Sequence, residues 1–134
     1  NEVLVETYLK GTEVTCGVFK EKDEITALPL TEIVSKNEFF DFSAKYKGDS
    51  EEITPARLDD GITEKVQYIA KQAFKLLDLK SFVRIDFIIV GEEPFLIEIN
   101  TVPGLSDESI VPQQLQAAGI GLADFFDRMV EACL

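Results

Sequence analysis

Four side chains in one short stretch have types and spacing that suit chemistry: Arg84, Asp86, Glu98 and Asn100. They stand in Arg84-Ile-Asp-Phe-Ile-Ile-Val, then the turn Gly91-Glu-Glu-Pro, then Phe95-Leu-Ile-Glu-Ile-Asn-Thr-Val-Pro-Gly104. The pattern is two β-branched apolar strands around a tight turn. A half-buried hairpin has no structural need for a cation, two carboxylates and an amide. On an apolar scaffold they suit phosphate and Mg²⁺, which takes one or two protein carboxylates and completes its shell with phosphate oxygens. Histidine is absent and the two cysteines are far apart, so a zinc site is excluded. The competing reading is a hairpin whose polar residues face water, with Arg84 and Asp86 as a surface pair. Spacing alone does not separate the two.

The register of the hairpin is a sharper expectation. Glu98 and Asn100 are two apart on a strand, so they share a face. Asp86 joins them only if its cross-strand partner is even-numbered. That calls for a loop of three or five residues, not four. On the first strand Ile85, Phe87 and Ile89 should face a core, and Arg84, Asp86 and Ile88 the opposite side.

The elements that must hold this hairpin follow from periodicity. Residues 2–9, 13–19 and 24–30 read as strands of an antiparallel meander, since the links are too short for parallel crossovers. Residues 36–56 carry aromatics and charges without a sustained period, which suits a mobile functional loop. Over 62–79 the residues Val66, Ile69, Ala70, Ala73, Leu76 and Leu77 fall at helical spacing. A short helix is expected over 112–118, stopped by Gly119, and an amphipathic one over 122–133. The segment between Asn100 and Ser109 offers backbone N–H groups and hydroxyls to an anion; it reads equally as a turn capped by Ser106 or Asp107. Lys45 and Tyr46 are placed to close over an anion, or to be an ordinary solvated loop. Neither a P-loop nor a Rossmann glycine motif is present.

Composition bounds the class. With 134 residues and 46% hydrophobic content the chain is expected to fold as one domain, residues 1–134, around a real core. No apolar run approaches a membrane span and no leader opens the chain, so the expected setting is cytoplasmic, without membrane contact. Cys16 and Cys133 lie among apolar neighbours and read as reduced, buried thiols. A net charge of −12 repels nucleic acid, and it sits awkwardly with a nucleotide unless basic groups come from elsewhere. The chain opens at Asn1 in a strand-like run, which reads as the carboxyl-terminal piece of something longer.

Read together, these motifs resemble a known family. Arg84-Ile-Asp-Phe-Ile followed by Leu96-Ile-Glu-Ile-Asn-Thr-Val-Pro-Gly-Leu-Ser, then Ser109-Ile-Val-Pro, is similar to the carboxyl-terminal signature of D-alanine–D-alanine ligases of the ATP-grasp superfamily. Val3-Leu-Val-Glu-Thr-Tyr-Leu resembles the family's adenine-binding strand, and Phe39-Phe-Asp-Phe-Ser-Ala-Lys-Tyr its mobile loop. The resemblance implies an α+β fold: an antiparallel sheet with packed helices, the carboxyl-terminal ATP-grasp lobe. It implies ATP as co-substrate, with Asp86, Glu98 and Asn100 as ligands of two Mg²⁺ (or Mn²⁺) ions. Arg84 and the backbone N–H of Gly104 match donors to the developing oxyanion. Ser109 and Ile110 match the clamp on the carboxylate of the second D-alanine. Glu6 and Leu9 match readers of the adenine edge, Glu13 the ribose ligand, and Tyr8, Phe39 and Ile88 the base-pocket walls. Lys45 matches a phosphate lysine and Tyr46 the tyrosine that closes the site. Phe40 stands where some members carry tyrosine.

The family's amino-terminal and central domains have no counterpart in this chain, so the piece alone is expected to be inactive. The whole enzyme is expected to dimerise through the amino-terminal domain, which leaves a monomer open for this piece. The resemblance also leaves open D-alanine–D-lactate ligation, another carboxylate–amine ligase, and an acidic interaction module with a degenerate site.

Overall fold

The computed structural model describes residues 2–35 and 50–132. The elements in chain order are β1 (Thr12–Glu21), β2 (Glu24–Ala27), β3 (Thr31–Ser35), β4 (Ser50–Ile53), α1 (Asp60–Leu76), β5 (Phe82–Val90), β6 (Glu93–Asn100), α2 (Ile110–Ala117) and α3 (Leu122–Glu131). The strands form a mixed-length antiparallel sheet in the order β4-β3-β1-β5-β6, with β2 also paired to β1. The expected α+β architecture is therefore present, with every pairing antiparallel.

Strict alternation on β5 organises both sides of the sheet. Val83, Ile85, Phe87 and Ile89 are buried, while Arg84, Asp86 and Ile88 are half-buried on the other face. Across the β1–β5 ladder, Val14, Cys16 and Val18 lie opposite Phe87, Ile85 and Val83, and these six pack against Val66, Ala70 and Phe74 of α1. Each such fully buried side chain contributes roughly 1.5–3 kcal/mol of transfer free energy. Asp60 in the first turn of α1 and Lys75 in its last both complement the helix dipole. Among the described residues, α2 and α3 cover one end of the opposite face. There Phe125 meets Phe19 and Phe82 edge-to-face, each at 5.3 Å, among Leu28, Val111, Leu115 and Met129.

Four expectations need correction. Residues 2–9 are not a strand: the segment has no ladder partner among the described residues, and Val3, Leu4, Val5 and Tyr8 are each 80% or more exposed. β-propensity stabilises a strand only when a neighbour is there to pair and pack. The run at 24–30 breaks after Ala27, where Pro29 has no N–H to continue a ladder. Leu76 and Leu77 are exposed, because the buried stripe of α1 steps through Val66, Ala70 and Phe74, and Leu79 beyond the helix packs in their place. Within the segment expected as a loop, Ser50–Ile53 is the edge strand β4. Phe39, Phe40, Lys45, Tyr46 and Cys133 lie outside the described residues.

Cys16 is fully buried, and burial pushes its thiol up to about 12, so it is inert at neutral pH as expected. No helix among the described residues is long and apolar enough to cross a membrane.

Candidate functional site

The β5–β6 hairpin places Asp86 opposite Glu98 and Arg84 opposite Asn100. The expected facing is met, but not by the expected loop. Val90 pairs with Glu93, leaving a two-residue turn, Gly91-Glu92, with Gly91 at φ +64° where glycine has no steric cost. An even loop alone sends Glu98 to the α1 side. A β-bulge between the Asp86 and Phe87 pairs reverses this: Phe87 pairs with Leu96 and Asp86 with Glu98, so Ile97 is the extra residue. One unpaired residue restores the parity that the turn removed.

On this face the Arg84 guanidinium forks onto Asp86, Nε to Oδ1 at 2.9 Å and Nη2 to Oδ2 at 2.8 Å. The two side chains are 23% and 19% exposed, partly withdrawn from solvent. The hydrogen bonds that Arg84 donates to Asp86 hold its guanidinium above its ordinary range, aided by the charges of Asp86, Glu98 and Glu52. Asn100 accepts the backbone N–H of Val102 through Oδ1 at 3.0 Å, which orients its amide at the start of the following loop. Glu98 is exposed. Among the described residues no cluster of three His, Cys, Asp or Glu side chains stands ready for a metal. The set on this face is two carboxylates and an amide oxygen. Such hard donors fit Mg²⁺, which needs few protein ligands. The fork onto Asp86 does not exhaust its acceptors, since two carboxylate oxygens offer about four lone-pair sites.

The loop after β6 brings Gly104 against Ser109. A Cβ on Gly104 would lie 2.8 Å from Ser109 Oγ, so a larger residue there would turn that hydroxyl away. Ser109 occupies the N-cap position of α2 but makes no side-chain cap; its Oγ is 2.8 Å from Ser106 Oγ. Neither Ser106 nor Asp107 is the cap. Half-buried Ile110 opens the helix, so the candidate clamp residues stand at its amino terminus.

At the other end of the face, Glu13 lies opposite Ile88, and both are half-buried. Gly11 crosses the end of β5, where a Cβ would lie 2.1 Å from the carbonyl oxygen of Ile89. The segment carrying Glu6, Tyr8 and Leu9 leaves from this end; Glu6 and Tyr8 are exposed and Leu9 half-buried, so the described chain does not gather them with Glu13 and Ile88 into a pocket. Arg84, Asp86, Glu98 and Asn100 form one cluster; Gly104, Ser109 and Ile110 form a second.

Two residues on this face escape the sequence reading. Glu52 of β4 lies opposite Ile33, which lies opposite Glu13, so it shares the face; it accepts from Gln113 Nε2 at 2.8 Å. Nothing in the short run Ser50–Ile53 announces it. Gln114 is fully buried. Its signal was present, because it falls on the apolar stripe Val111, Leu115 of an amphipathic helix.

Comparisons with known proteins place the chain in a family. The family model described as D-ala D-ala ligase C-terminus matches residues 1–131. A D-alanine–D-alanine ligase of Flavobacterium johnsoniae is 54% identical over all of this chain, and one of Phocaeicola vulgatus is 46% identical over 98% of it. The chain spans 42% and 41% of those two relatives. Among solved structures, the D-alanine–D-alanine ligase of Bacillus anthracis complexed with ATP superposes with a TM-score of 0.77 at 31% identity, over 95% of this chain and 41% of that one. The VanG D-Ala:D-Ser ligase of Enterococcus faecalis gives 0.83 at 28% identity, over 95% and 37%.

Proposed function

Because the chain belongs to the D-alanine–D-alanine ligase carboxyl-terminal family, we propose that it is the phosphate- and metal-handling lobe of an ATP-dependent ligase that joins two D-alanine molecules for peptidoglycan synthesis. In that reaction the γ-phosphoryl of ATP passes to a carboxylate oxygen of the first D-alanine. The amine of the second then attacks the acyl carbon, phosphate leaves with the bonding electrons, and the amine loses a proton. The names of relatives at 46–54% identity favour D-alanine over D-lactate as second substrate. Retention of Arg84, Asp86, Glu98 and Asn100 together on one face weighs against a degenerate interaction module.

The observation that carries the reading is the register: Asp86 opposite Glu98, and Arg84 opposite Asn100, on one face of adjacent strands. Asp86, Glu98 and Asn100 would hold the Mg²⁺ ions. Mg²⁺, when bound, neutralises phosphate charge. The Arg84 cation, preoriented by its fork onto Asp86, stabilises negative charge on the transferred phosphoryl or the tetrahedral oxygen. Gly104 offers a backbone N–H to the same oxygen. Ser109 and Ile110 receive the carboxylate of the second amino acid. Glu13 takes the ribose hydroxyls, Ile88 with Tyr8 and Phe39 lines the base, and Glu6 and Leu9 read its edge. Lys45 holds phosphate, and Tyr46 closes over the acyl phosphate to exclude water.

The share of the relatives' length lying beyond this chain supplies the opposing wall and the positive charge that a −12 chain lacks. The whole enzyme then works in the cytoplasm, as a dimer through its amino-terminal domain. The test is nucleotide binding by the full-length protein, followed calorimetrically with and without Mg²⁺. Asp86→Ala and Glu98→Ala should each weaken the Mg²⁺-dependent component at least ten-fold; binding unchanged in both would refute the assignment. The isolated chain should release no ADP with D-alanine.

A further inference from the structure

We propose that Gln114 is a positioning residue for the acceptor amino acid, locking the amino terminus of α2 to the strand that backs Arg84 and Asp86. The inference rests on the ligase reading and deepens it.

The starting point is a gap in the sheet. β1 pairs with β3 through Glu13–Thr15 and with β2 through Val18–Glu21, on the same edge. Between them the chain breaks at Leu28-Pro29-Leu30, and Pro29 has no N–H to give. Leu28 N–H reaches Gly17 O at 2.8 Å, while the Gly17 N–H, between the two ladders, finds its partner on α2 and not on a strand. The Gln114 carboxamide fills that place. Its Oε1 accepts from Gly17 N at 2.9 Å, and its Nε2 donates to Thr15 O at 2.9 Å and to Thr31 Oγ1 at 3.1 Å. It acts as a peptide unit would, satisfying buried backbone groups that otherwise cost free energy.

Gly17 makes the fit possible. A Cβ there would lie 2.7 Å from Gln114 Oε1 and 2.8 Å from Leu28 Cδ1. Thr31 continues the network to Thr54 Oγ1 at 2.6 Å. The backbone positions that Gln114 grips are the cross-strand partners of the site: Thr15 lies opposite Asp86 and Gly17 opposite Arg84. Gln113, the neighbouring residue, ties the same helix outward to Glu52. The first turn of α2 carries Ser109 and Ile110. One buried amide therefore sets the distance between the acceptor clamp and the Arg84–Asp86 pair.

The experiment compares the full-length protein with Gln114→Leu and Gln114→Glu, using steady-state ligation of D-alanine and amide hydrogen exchange. In Gln114→Leu the KM for the acceptor D-alanine should rise about ten-fold or more, with the KM for ATP within two-fold of wild type. Protection of the amides of residues 109–113 should fall while that of 83–89 holds. In Gln114→Glu the acid form keeps a donor for Thr15 O, and the carboxylate does not. The variant-to-wild-type ratio of acceptor KM should therefore grow as pH rises. If Gln114→Leu is insoluble, the pH dependence of Gln114→Glu decides. A lower melting temperature with acceptor KM, ATP KM and the pH profile unchanged would overturn the proposal and leave Gln114 purely structural. A wild-type protein inactive on D-alanine would instead overturn the ligase reading, and this inference with it.

Discussion

The two faces of β5 are built from alternate residues of one strand, yet they are different materials. Towards α1, Ile85 and Phe87 are fully buried in hydrocarbon that includes Val14, Cys16, Val66 and Phe74. Towards the other side, Arg84 and Asp86 form a partly withdrawn ion pair beside exposed Glu98, and among the described residues the helices pack on this face around Phe82. The difference shows how a polar site is kept in place. A charged pair near a surface contributes little to stability by itself, so its geometry is borrowed from the packed residues one position away. Substitution on one face should therefore change stability, and on the other binding and turnover.

The most drastic way to break that contrast is to exchange the two faces, with Asp86→Phe and Phe87→Asp together. A carboxylate then sits unpaired among Val14, Ile85 and Phe74, a penalty above ~5 kcal/mol that matches the whole stability of many domains. The expected result is no cooperative unfolding transition by calorimetry, and a native-like transition would contradict the division of roles. A milder change sharpens it: Phe87→Ala should cost about 3–5 kcal/mol through lost burial and a residual cavity. Urea denaturation reads that loss, while nucleotide affinity of the fraction that stays folded should remain close to wild type. The smallest effect belongs to an ion pair on β3, two strands away from β5. Glu32 accepts from Arg57 Nε and Nη2, each at 2.9 Å, and these hydrogen bonds hold its carboxyl below the ordinary value. A depressed folded-state pKa stabilises above the unfolded-state value and ceases to do so as pH falls through the folded one. Glu32→Gln should thus lower the melting temperature slightly at pH 7, and the gap to wild type should close in acid.

Much of this is legible in the sequence. Ile85, Phe87 and Ile89 alternate with Arg84, Asp86 and Ile88, and a period of two needs only the strand to exist. The turn after β6 and the stop at Gly119, with φ +73°, were equally local. Residues 2–9 misled because Val3, Leu4 and Val5 have strand propensity whatever lies beside them, whereas a strand needs a partner. Gln114 was visible as a polar residue on an apolar stripe, but its partners Thr15, Gly17 and Thr31 are distant in sequence.

The sequence by itself determined which side chains could serve as hard oxygen ligands and cations, and which alternate with core residues, because composition and strand period are local properties. Whether Asp86 meets Glu98 was decided only in three dimensions. The two-residue turn set one parity, and the bulge at Ile97 set the other. The same holds for the acceptor end, where the position of Ser109 depends on a helix seated in a gap between two strands. Register and docking are relations between segments distant along the chain, and only packing resolves them.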